Sequence, residues 1–258
     1  MVELKTPGEI EAMRAAGEVV ARALVAARGH ATVGTRLTDL DDVARQVMSD
    51  AGARPAFLGY RPSFAPTPFP AVICTSVNDV ALHGIPSSYR LADGDLLSID
   101  CGALLDGWAA DSAVSTIVGA PHAEDVRLVG ATDAALSAGI AAAAPGARLG
   151  DVSAAIGAVG RAAGYGVPTD FGGHGVGRAM HEDPSVPNAG RPRRGRRLEP
   201  GLVIAIEPWF LGGGSDAYVV DADGWSLRSA DGSRAAHAEH TVAITETGPR
   251  ILTSPAGD

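Results

Sequence analysis

The chain has 258 residues, of which 46% are hydrophobic, and it carries a formal net charge of −9. This length and apolar content suffice for one large hydrophobic core or two small ones. The negative charge disfavours broad binding to nucleic acid, and no apolar run approaches the roughly 20 residues that cross a bilayer, so we expect no membrane association.

The sequence predicts four helices, two in each half of the chain. The first begins with Thr6-Pro7-Gly8-Glu9, a capping box with proline at the first helical position, after which apolar residues follow at helical spacing. The second begins near Thr38 and ends at Gly52. Two further helices fit residues 122–143 and 151–163, with a Pro-Gly pair between them.

Between the helix pairs the sequence predicts a β-hairpin. Residues 96–105 form one strand, Asp106-Gly107 is the dipeptide of a type I′ turn, and the chain then returns as a second strand. In that register Gly102 lies opposite Asp111, so Asp100 and Asp111 point to one face as diagonal neighbours. Two carboxylates held together in an apolar setting either take up a proton or bind a cation. The alternative is that one aspartate lies in water at a strand end.

Two short motifs recur in the same order in both halves of the chain. Gly-x-Arg-Leu-x-Asp occurs at residues 34–39 and again at 146–151. A glycine followed by a β-rich run that ends in isoleucine and a carboxylate occurs at 94–100 and again at 201–207. Because the two offsets are nearly equal, we favour a duplicated unit of two helices followed by strands. The alternative is that such short turn motifs recur independently, as they do at element ends in any α/β protein.

These elements predict an α/β (α+β) fold in a single domain that spans residues 1–258. The internal pseudo-repeats cover roughly 6–118 and 119–250. The duplication places Asp100 and Glu207 at equivalent strand ends. Two half-units packed face to face would bring these carboxylates together at the seam, where functional sites tend to form.

A third strand carries Glu239 among apolar residues, so four acids lie on strands that are predicted to be buried. A buried charge is rare unless it is paired or bound to metal. His174 lies between glycines, and His181 and His83 lie in other glycine- or proline-bounded loops. A single histidine of this kind is more often a loop residue. Carboxylates with imidazole suit Mn²⁺, Fe²⁺, Co²⁺ or Zn²⁺, and four acids match two divalent ions about 3.5–4 Å apart.

Two other features bear on location and partners. The two cysteines, Cys74 and Cys101, form no disulfide framework, and residues 1–5 do not form a signal peptide. We therefore expect a cytoplasmic protein, and a monomer. A run of five arginines could contact a polyanion such as ribosomal RNA, although such a run is more often a solvated loop. Its members are Arg191, Arg193, Arg194, Arg196 and Arg197.

The motifs resemble those of the type I methionine aminopeptidases over nearly the whole chain, from Leu4 to Thr253. The matching stretches are Cys74-Thr75-Ser76-Val77-Asn78-Asp79, His83-Gly84-Ile85-Pro86, Asp100 with Asp111, Gly173-His174-Gly175-Val176-Gly177, His181-Glu182-Asp183-Pro184, Ile206-Glu207-Pro208 and Glu239-His240-Thr241. That family has a duplicated "pita bread" fold, a pseudo-twofold pair of helix–helix–strand units around a dinuclear metal site. The resemblance implies an enzyme that removes the initiator methionine of nascent polypeptides and prefers a small second residue.

The resemblance also implies roles for individual residues. Two divalent ions, which could be Co²⁺, Mn²⁺, Fe²⁺ or Zn²⁺, would be held by Asp100, Asp111, His174, Glu207 and Glu239. Asp111 and Glu239 would bridge the ions, and Glu207 would also act as the general base.

On the substrate side, the resemblance implies that His181 hydrogen-bonds the scissile carbonyl oxygen and that His83 contacts the scissile amide. Part of the wall of the methionine pocket would be formed by Tyr60, Cys74 and Trp225. An apolar pocket that contains a thiol suits a thioether side chain.

The chain departs from the family pattern near the pocket. Trp209 follows Pro208 where methionine is usual, Met180 precedes His181 where phenylalanine is common, and residues 61–70 are longer and richer in proline than expected. These departures affect the shape of the pocket and the preferred second residue, and they leave the ligands intact.

Two other functions remain as alternatives. A prolidase or aminopeptidase P would share the fold and the ligands, but such enzymes usually carry a large amino-terminal domain, and here Asp100 comes too early in the chain for one. A catalytically silent pita-bread binding protein should have lost ligands, whereas every expected ligand is present.

Overall fold

A nine-stranded sheet, two smaller sheets and four helices make up residues 2–254, which are the residues described in this computed structural model. Met1 and residues 255–258 of the predicted domain lie outside the described residues. The helices are α1 (Pro7–His30), α2 (Leu37–Asp50), α3 (Ala123–Ala142) and α4 (Leu149–Ala162). The strands are β1 (Arg54–Pro55), β2 (Ile73–Val77), β3 (Val80–Leu82), β4 (Leu96–Leu105), β5 (Trp108–Ile117), β6 (Gly173–Gly175), β7 (Glu182–Val186), β8 (Val203–Ile206), β9 (Trp209–Leu211), β10 (Tyr218–Val220), β11 (Leu227–Ser229), β12 (Ala235–His237), β13 (Glu239–Thr245) and β14 (Gly248–Ile251).

All four predicted helices are present, with ends within a few residues of the expected ones. The capping box of α1 is formed as predicted, since Glu9 N donates to Thr6 Oγ1 and Thr6 N donates to Glu9 Oε2 at 2.9 Å. The helix approaches the carboxyl-terminal segment closely at Gly17, where a Cβ atom would lie 2.0 Å from the carbonyl oxygen of Leu252. Within residues 2–254, no helix has the length and hydropathy needed to span a membrane.

The predicted hairpin is confirmed in position and register. β4 pairs with β5 so that Leu105 lies opposite Trp108 and Gly102 lies opposite Asp111. Asp106 and Gly107 have φ values of 51° and 80°, as a two-residue type I′ turn requires.

Both Gly-x-Arg-Leu-x-Asp motifs begin a helix in the same way. In each, the aspartate side chain accepts a hydrogen bond from the backbone N–H of the arginine, at 3.1 Å for Asp39 and 2.8 Å for Asp151. Each arginine also forms an isolated β-bridge with another arginine, Arg36 with Arg90 and Arg148 with Arg197. A duplicated unit predicts matched contacts of this kind, and the boundaries of the two pseudo-repeats stay a prediction.

The large sheet follows the order β1-β4-β5-β13-β8-β6-β7, with β2 also pairing with β4 and β14 with β13. Successive side chains of each strand point to opposite faces of this sheet, so residues that pack in a core against the helices alternate with residues on the other face. On β4, Ile99 and Cys101 belong to the cluster packed with α1 and α2, and Asp100 between them points the opposite way. On β13, Val242 and Ile244 pack with α3 and α4, and Glu239 has the opposite parity. Asp100 therefore points away from the core under α1 and α2, and Glu239 points away from the core under α3 and α4.

Candidate active site

Five neighbouring strands of the large sheet each bring one candidate metal ligand to this face. Asp100 on β4 and Glu239 on β13 both pair with Ala113 of β5, so they lie on either side of Asp111, two residues earlier on β5. The next strand, β8, ends at Ile206 and is followed directly by Glu207. Beside it, β6 carries His174.

The donor atoms of these residues lie close together. His174 Nε2 is 3.5 Å from Glu207 Oε1 and 4.0 Å from Asp111 Oδ2. One ligand atom each from Asp111, His174 and Glu239 can be chosen so that all three lie within 4.8 Å of one another. In the described part of the chain, Asp100, Asp111 and Glu239 each have one buried carboxylate oxygen without a hydrogen-bond partner. Such oxygens are costly to bury, so this donor set fits divalent cations.

The electrostatics of the cluster also favour a cation. Burial raises the pKa values of Asp100, Glu207 and Glu239 well above their usual range, and repulsion by Asp111 adds to each rise. Burial raises the pKa of Asp111 itself to about 7. A bound cation would offset both effects, because it replaces lost hydration and screens the repulsion between the carboxylates.

His174 is held in its neutral form. Burial lowers its pKa to about 4, and its Nδ1 lies 2.9 Å from the carbonyl oxygen of Gly175. Since a carbonyl oxygen can only accept, Nδ1 carries the proton, and the lone pair of Nε2 faces the carboxylates.

A single cavity of about 200 Å³ connects the acid cluster with an aromatic pocket. All the residues predicted from the sequence line it: the candidate metal ligands above together with His83, His181, Tyr60, Cys74 and Trp225. The structure therefore brings every predicted site residue to one place, and the cavity has room for about one amino-acid side chain.

Sequence reasoning missed most of the aromatic wall. Four of the five phenylalanines of the chain line the cavity, namely Phe57, Phe64, Phe69 and Phe171. Three of them come from the loops between β1 and β2 and the fourth from the loop before β6. Loops lack the periodicity that reveals a buried face. The sequence did offer one signal for the wall: three of the chain's five phenylalanines lie within residues 57–69.

The proline-rich segment 61–70 forms the rim of the cavity. It is closed by a hydrogen bond of 2.8 Å from Phe69 N to Tyr60 O, and Trp225 Nε1 donates to Thr67 O at 3.0 Å. At its exposed tip, Phe64 stacks on His83 with ring centroids 6.3 Å apart. This segment thus holds Trp225 and extends the wall towards His83.

The two other departures from the family pattern have different consequences. Met180 is buried against the pocket wall, and a Cβ at Gly102 would lie 2.2 Å from its Cε. Trp209 does not line the cavity. Its Nε1 donates to the carbonyl oxygen of Phe171 at 2.9 Å, so it positions a wall residue from behind.

The two predicted substrate-side histidines occupy different parts of the cavity. His181 lies between Tyr60 and His174, with ring centroids 5.1 Å and 4.1 Å away. His83, with a φ of 57°, stands edge-to-face with Trp225, and burial lowers its pKa to about 4. Its imidazole is therefore neutral near pH 7 and able to donate one N–H bond.

One further histidine was not singled out from the sequence. His237 is 2% exposed, and its Nε2 lies 3.8 Å from Glu207 Oε2. The sequence could have indicated His237, because it lies two residues before Glu239 on an extended segment. Two such side chains point to the same side.

Comparisons with known proteins agree on one family. The model of metallopeptidase family M24 matches residues 11–246. Methionine aminopeptidase 1 of Mycobacterium tuberculosis is 50% identical over 260 aligned positions, which cover 98% of this chain and 95% of the relative. Methionine aminopeptidase 1 of Bacillus subtilis is 42% identical, and the match covers 98% of this chain and 99% of the relative.

Solved structures give the same result for the fold. A methionine aminopeptidase from Thermotoga maritima superposes with a TM-score of 0.93 at 40% identity, covering 98% of this chain and 100% of that one. A prolidase from Pyrococcus furiosus gives 0.78 at 26% identity, and the match covers 97% of this chain and 65% of the prolidase. Both share the pita-bread arrangement, and the match to the first is closer and extends over its full length.

Proposed function

The chain belongs to metallopeptidase family M24, and we propose that it removes the amino-terminal methionine from nascent proteins and peptides by hydrolysis of the first peptide bond. The observation that carries this proposal is the single cavity in which the acid cluster adjoins an aromatic pocket sized for one side chain. Nascent chains emerge in the cytoplasm, and we propose that the enzyme acts there.

Membership of a metallopeptidase family implies divalent metal ions. We propose two ions, drawn from Co²⁺, Mn²⁺, Fe²⁺ and Zn²⁺ and bridged by Asp111 and Glu239. The residues that would hold them are Asp100, Asp111, His174, Glu207 and Glu239. Bound ions would supply Lewis acidity, which polarises a peptide carbonyl and makes an attacking water more acidic.

The protein's own groups would do the rest of the chemistry. Glu207, at the cavity wall, would take the proton of the attacking water. His181 would donate a hydrogen bond to the carbonyl oxygen as negative charge develops there. His83, on the other side of the cavity, would contact the scissile amide and stabilise the tetrahedral intermediate.

The pocket would bind the methionine side chain. Tyr60, Cys74 and Trp225 give it aromatic faces and a thiol, which make favourable contacts with a thioether. Because the amino-terminal residue is enclosed, the rest of the peptide must leave through the rim, past Phe64. A crowded rim favours glycine, alanine or serine as the second residue.

The test is a series of short peptides assayed with Mn²⁺ or Co²⁺. We expect rapid cleavage of Met-Ala and Met-Gly peptides, and slower cleavage of norleucine analogues, because one methylene or its equivalent changes binding by about 1–3 kcal/mol. Isoleucine and valine peptides should be poor, because their branch lies near the backbone, and formyl-methionine peptides should be inert. Cleavage of X-Pro peptides regardless of X, with Met-Ala poor, would favour an aminopeptidase P. Binding without cleavage would favour the silent binding protein.

We also propose that the arginine run contacts ribosomal RNA. Residues 191–197 are all exposed, and the neighbouring Arg148 donates to Gly195 O at 2.8 Å, which adds a sixth arginine to the patch. The run precedes β8 and Glu207 follows it, so the length of that strand, about 13 Å at 3.3 Å per residue, separates the two. A phosphate backbone could be bound there while the cavity receives a peptide.

Replacing four of these arginines by alanine should weaken co-sedimentation with ribosomes and make its salt dependence shallower, because fewer counterions are released. The variant carries changes at Arg191, Arg193, Arg194 and Arg197. Its peptidase activity should be unchanged. The matched control removes four exposed arginines elsewhere, at Arg22, Arg28, Arg45 and Arg127. Equal loss of binding in both variants would mean that total charge, and not this patch, determines the contact.

A further inference from the structure

His237 approaches the acid cluster from a strand outside the large sheet. It ends β12, where it pairs with Trp209 of β9, and Glu239 begins β13 two residues later. Ala238 between them packs into the core under α3 and α4. Because alternate residues of an extended segment face opposite sides, His237 and Glu239 both point into the site.

The imidazole of His237 is enclosed and aimed at carboxylates. Its Nε2 is buried and, among the described residues, has no hydrogen-bond partner; the same holds for Glu239 Oε1. Nε2 lies 3.8 Å from Glu207 Oε2. Ligand atoms of Glu207, His237 and Glu239 all lie within 4.8 Å of one another. This separation is wider than a hydrogen bond and suits atoms that share one cation.

We propose that His237 is a metal ligand, and that its Nε2 binds an ion together with Glu207 and Glu239. His237 then adds a second imidazole, besides that of His174, to the five residues that the proposed function assigns to the two ions. This inference rests on the metal centre of the proposed function and adds a residue to it. A second nitrogen donor shifts the preference of the site from Mn²⁺ towards Co²⁺ and Zn²⁺, since imidazole suits the later metals better than carboxylate does.

The decisive measurement uses the Co²⁺-loaded protein with two equivalents of metal. Paramagnetic proton NMR in H₂O should show two strongly shifted exchangeable imidazole N–H signals, one from His174 and one from His237. His237→Gln should retain one of them. Isothermal titration should show that the variant loses more than about 10-fold in affinity for one ion, since even changes behind the ligands cost 10–100-fold.

His240→Gln is the matched control. It removes an imidazole from the residue next to Glu239, but His240 has the opposite parity, and its Nδ1 lies 2.8 Å from Thr253 Oγ1. We expect this variant to keep both shifted signals and both affinities. His174→Gln should lose the other signal.

The proposal is overturned if the wild-type protein with two Co²⁺ shows one shifted imidazole signal, an outcome that needs no variant to fold. It is also overturned if His237→Gln binds both ions with unchanged affinity and loses only turnover, because His237 would then orient Glu207. Neither readout involves a peptide. Failure of the methionine-removal assay with two imidazole signals present would therefore reject the proposed substrate and keep His237 as a ligand.

Discussion

Asp111→Asn should bind little metal and lose peptidase activity by on the order of 10³-fold or more, because the Lewis acidity of bound ions supplies several kcal/mol of transition-state stabilisation. Asp111 lies on β5 between the strands that carry Asp100 and Glu239, and its Oδ2 lies 4.0 Å from His174 Nε2. In the proposed site Asp111 bridges both ions, so removal of its charge would weaken the binding of both. Metal content by mass spectrometry and turnover of a Met-Ala peptide check the prediction.

The fold of this variant should be intact. The backbone N–H and carbonyl of Asp111 are both bonded to Thr241 Oγ1, at 2.9 and 2.8 Å, and asparagine keeps these contacts. Because burial raises the pKa of Asp111, loss of its charge should leave the metal-free protein at least as thermally stable as metal-free wild type.

Asp106→Asn provides the matched control. It makes the same chemical change in the exposed turn of the same hairpin, where asparagine also tolerates a positive φ. We expect normal metal content and activity. If Asp111→Asn behaved in the same way, with its metal content undiminished, a bridging role for Asp111 would be rejected.

The common face of the strand acids was predictable because strand periodicity places them. Asp106-Gly107 sets the register of the hairpin, and the register puts Asp100 and Asp111 on one face. The motif of a glycine, a β-rich run and a carboxylate, which recurs at residues 201–207, then pointed to Glu207. These inferences need only local geometry and an internal repeat. The order of the strands across the two halves needs long-range pairing, which no local pattern encodes.

The aromatic wall and His237 leave only weak signals in the sequence, for physical reasons. Phe57, Phe64 and Phe171 lie in irregular segments, where neighbouring positions in the sequence do not indicate a common face. β12 has three residues, too few to display a period, and its Ala236 packs under helices that are distant in sequence. The departure at Trp209 acts through Phe171, a contact that requires the fold to be known.

His181→Ala should keep its metal and lose turnover by about 10²–10³-fold, the effect of removing one donor to a developing oxyanion. Its imidazole lies 5.1 Å from the ring of Tyr60 and 4.1 Å from that of His174, between the pocket wall and the metal ligands. A carbonyl oxygen held beside the acid cluster would lie within reach of this ring. The residue is exposed at the mouth of the cavity, so truncation should leave the stability of the protein nearly unchanged.

The kinetic pattern distinguishes this role from two others. A donor that acts only in the transition state lowers kcat with little change in KM, whereas loss of a wall residue raises KM, as Trp225→Ala should. His181→Gln retains an N–H donor, on a more flexible side chain, and should recover part of the lost turnover. If His181→Ala instead loses an equivalent of metal, then His181 is a ligand. In that event the division between metal-binding carboxylates and substrate-side histidines is wrong.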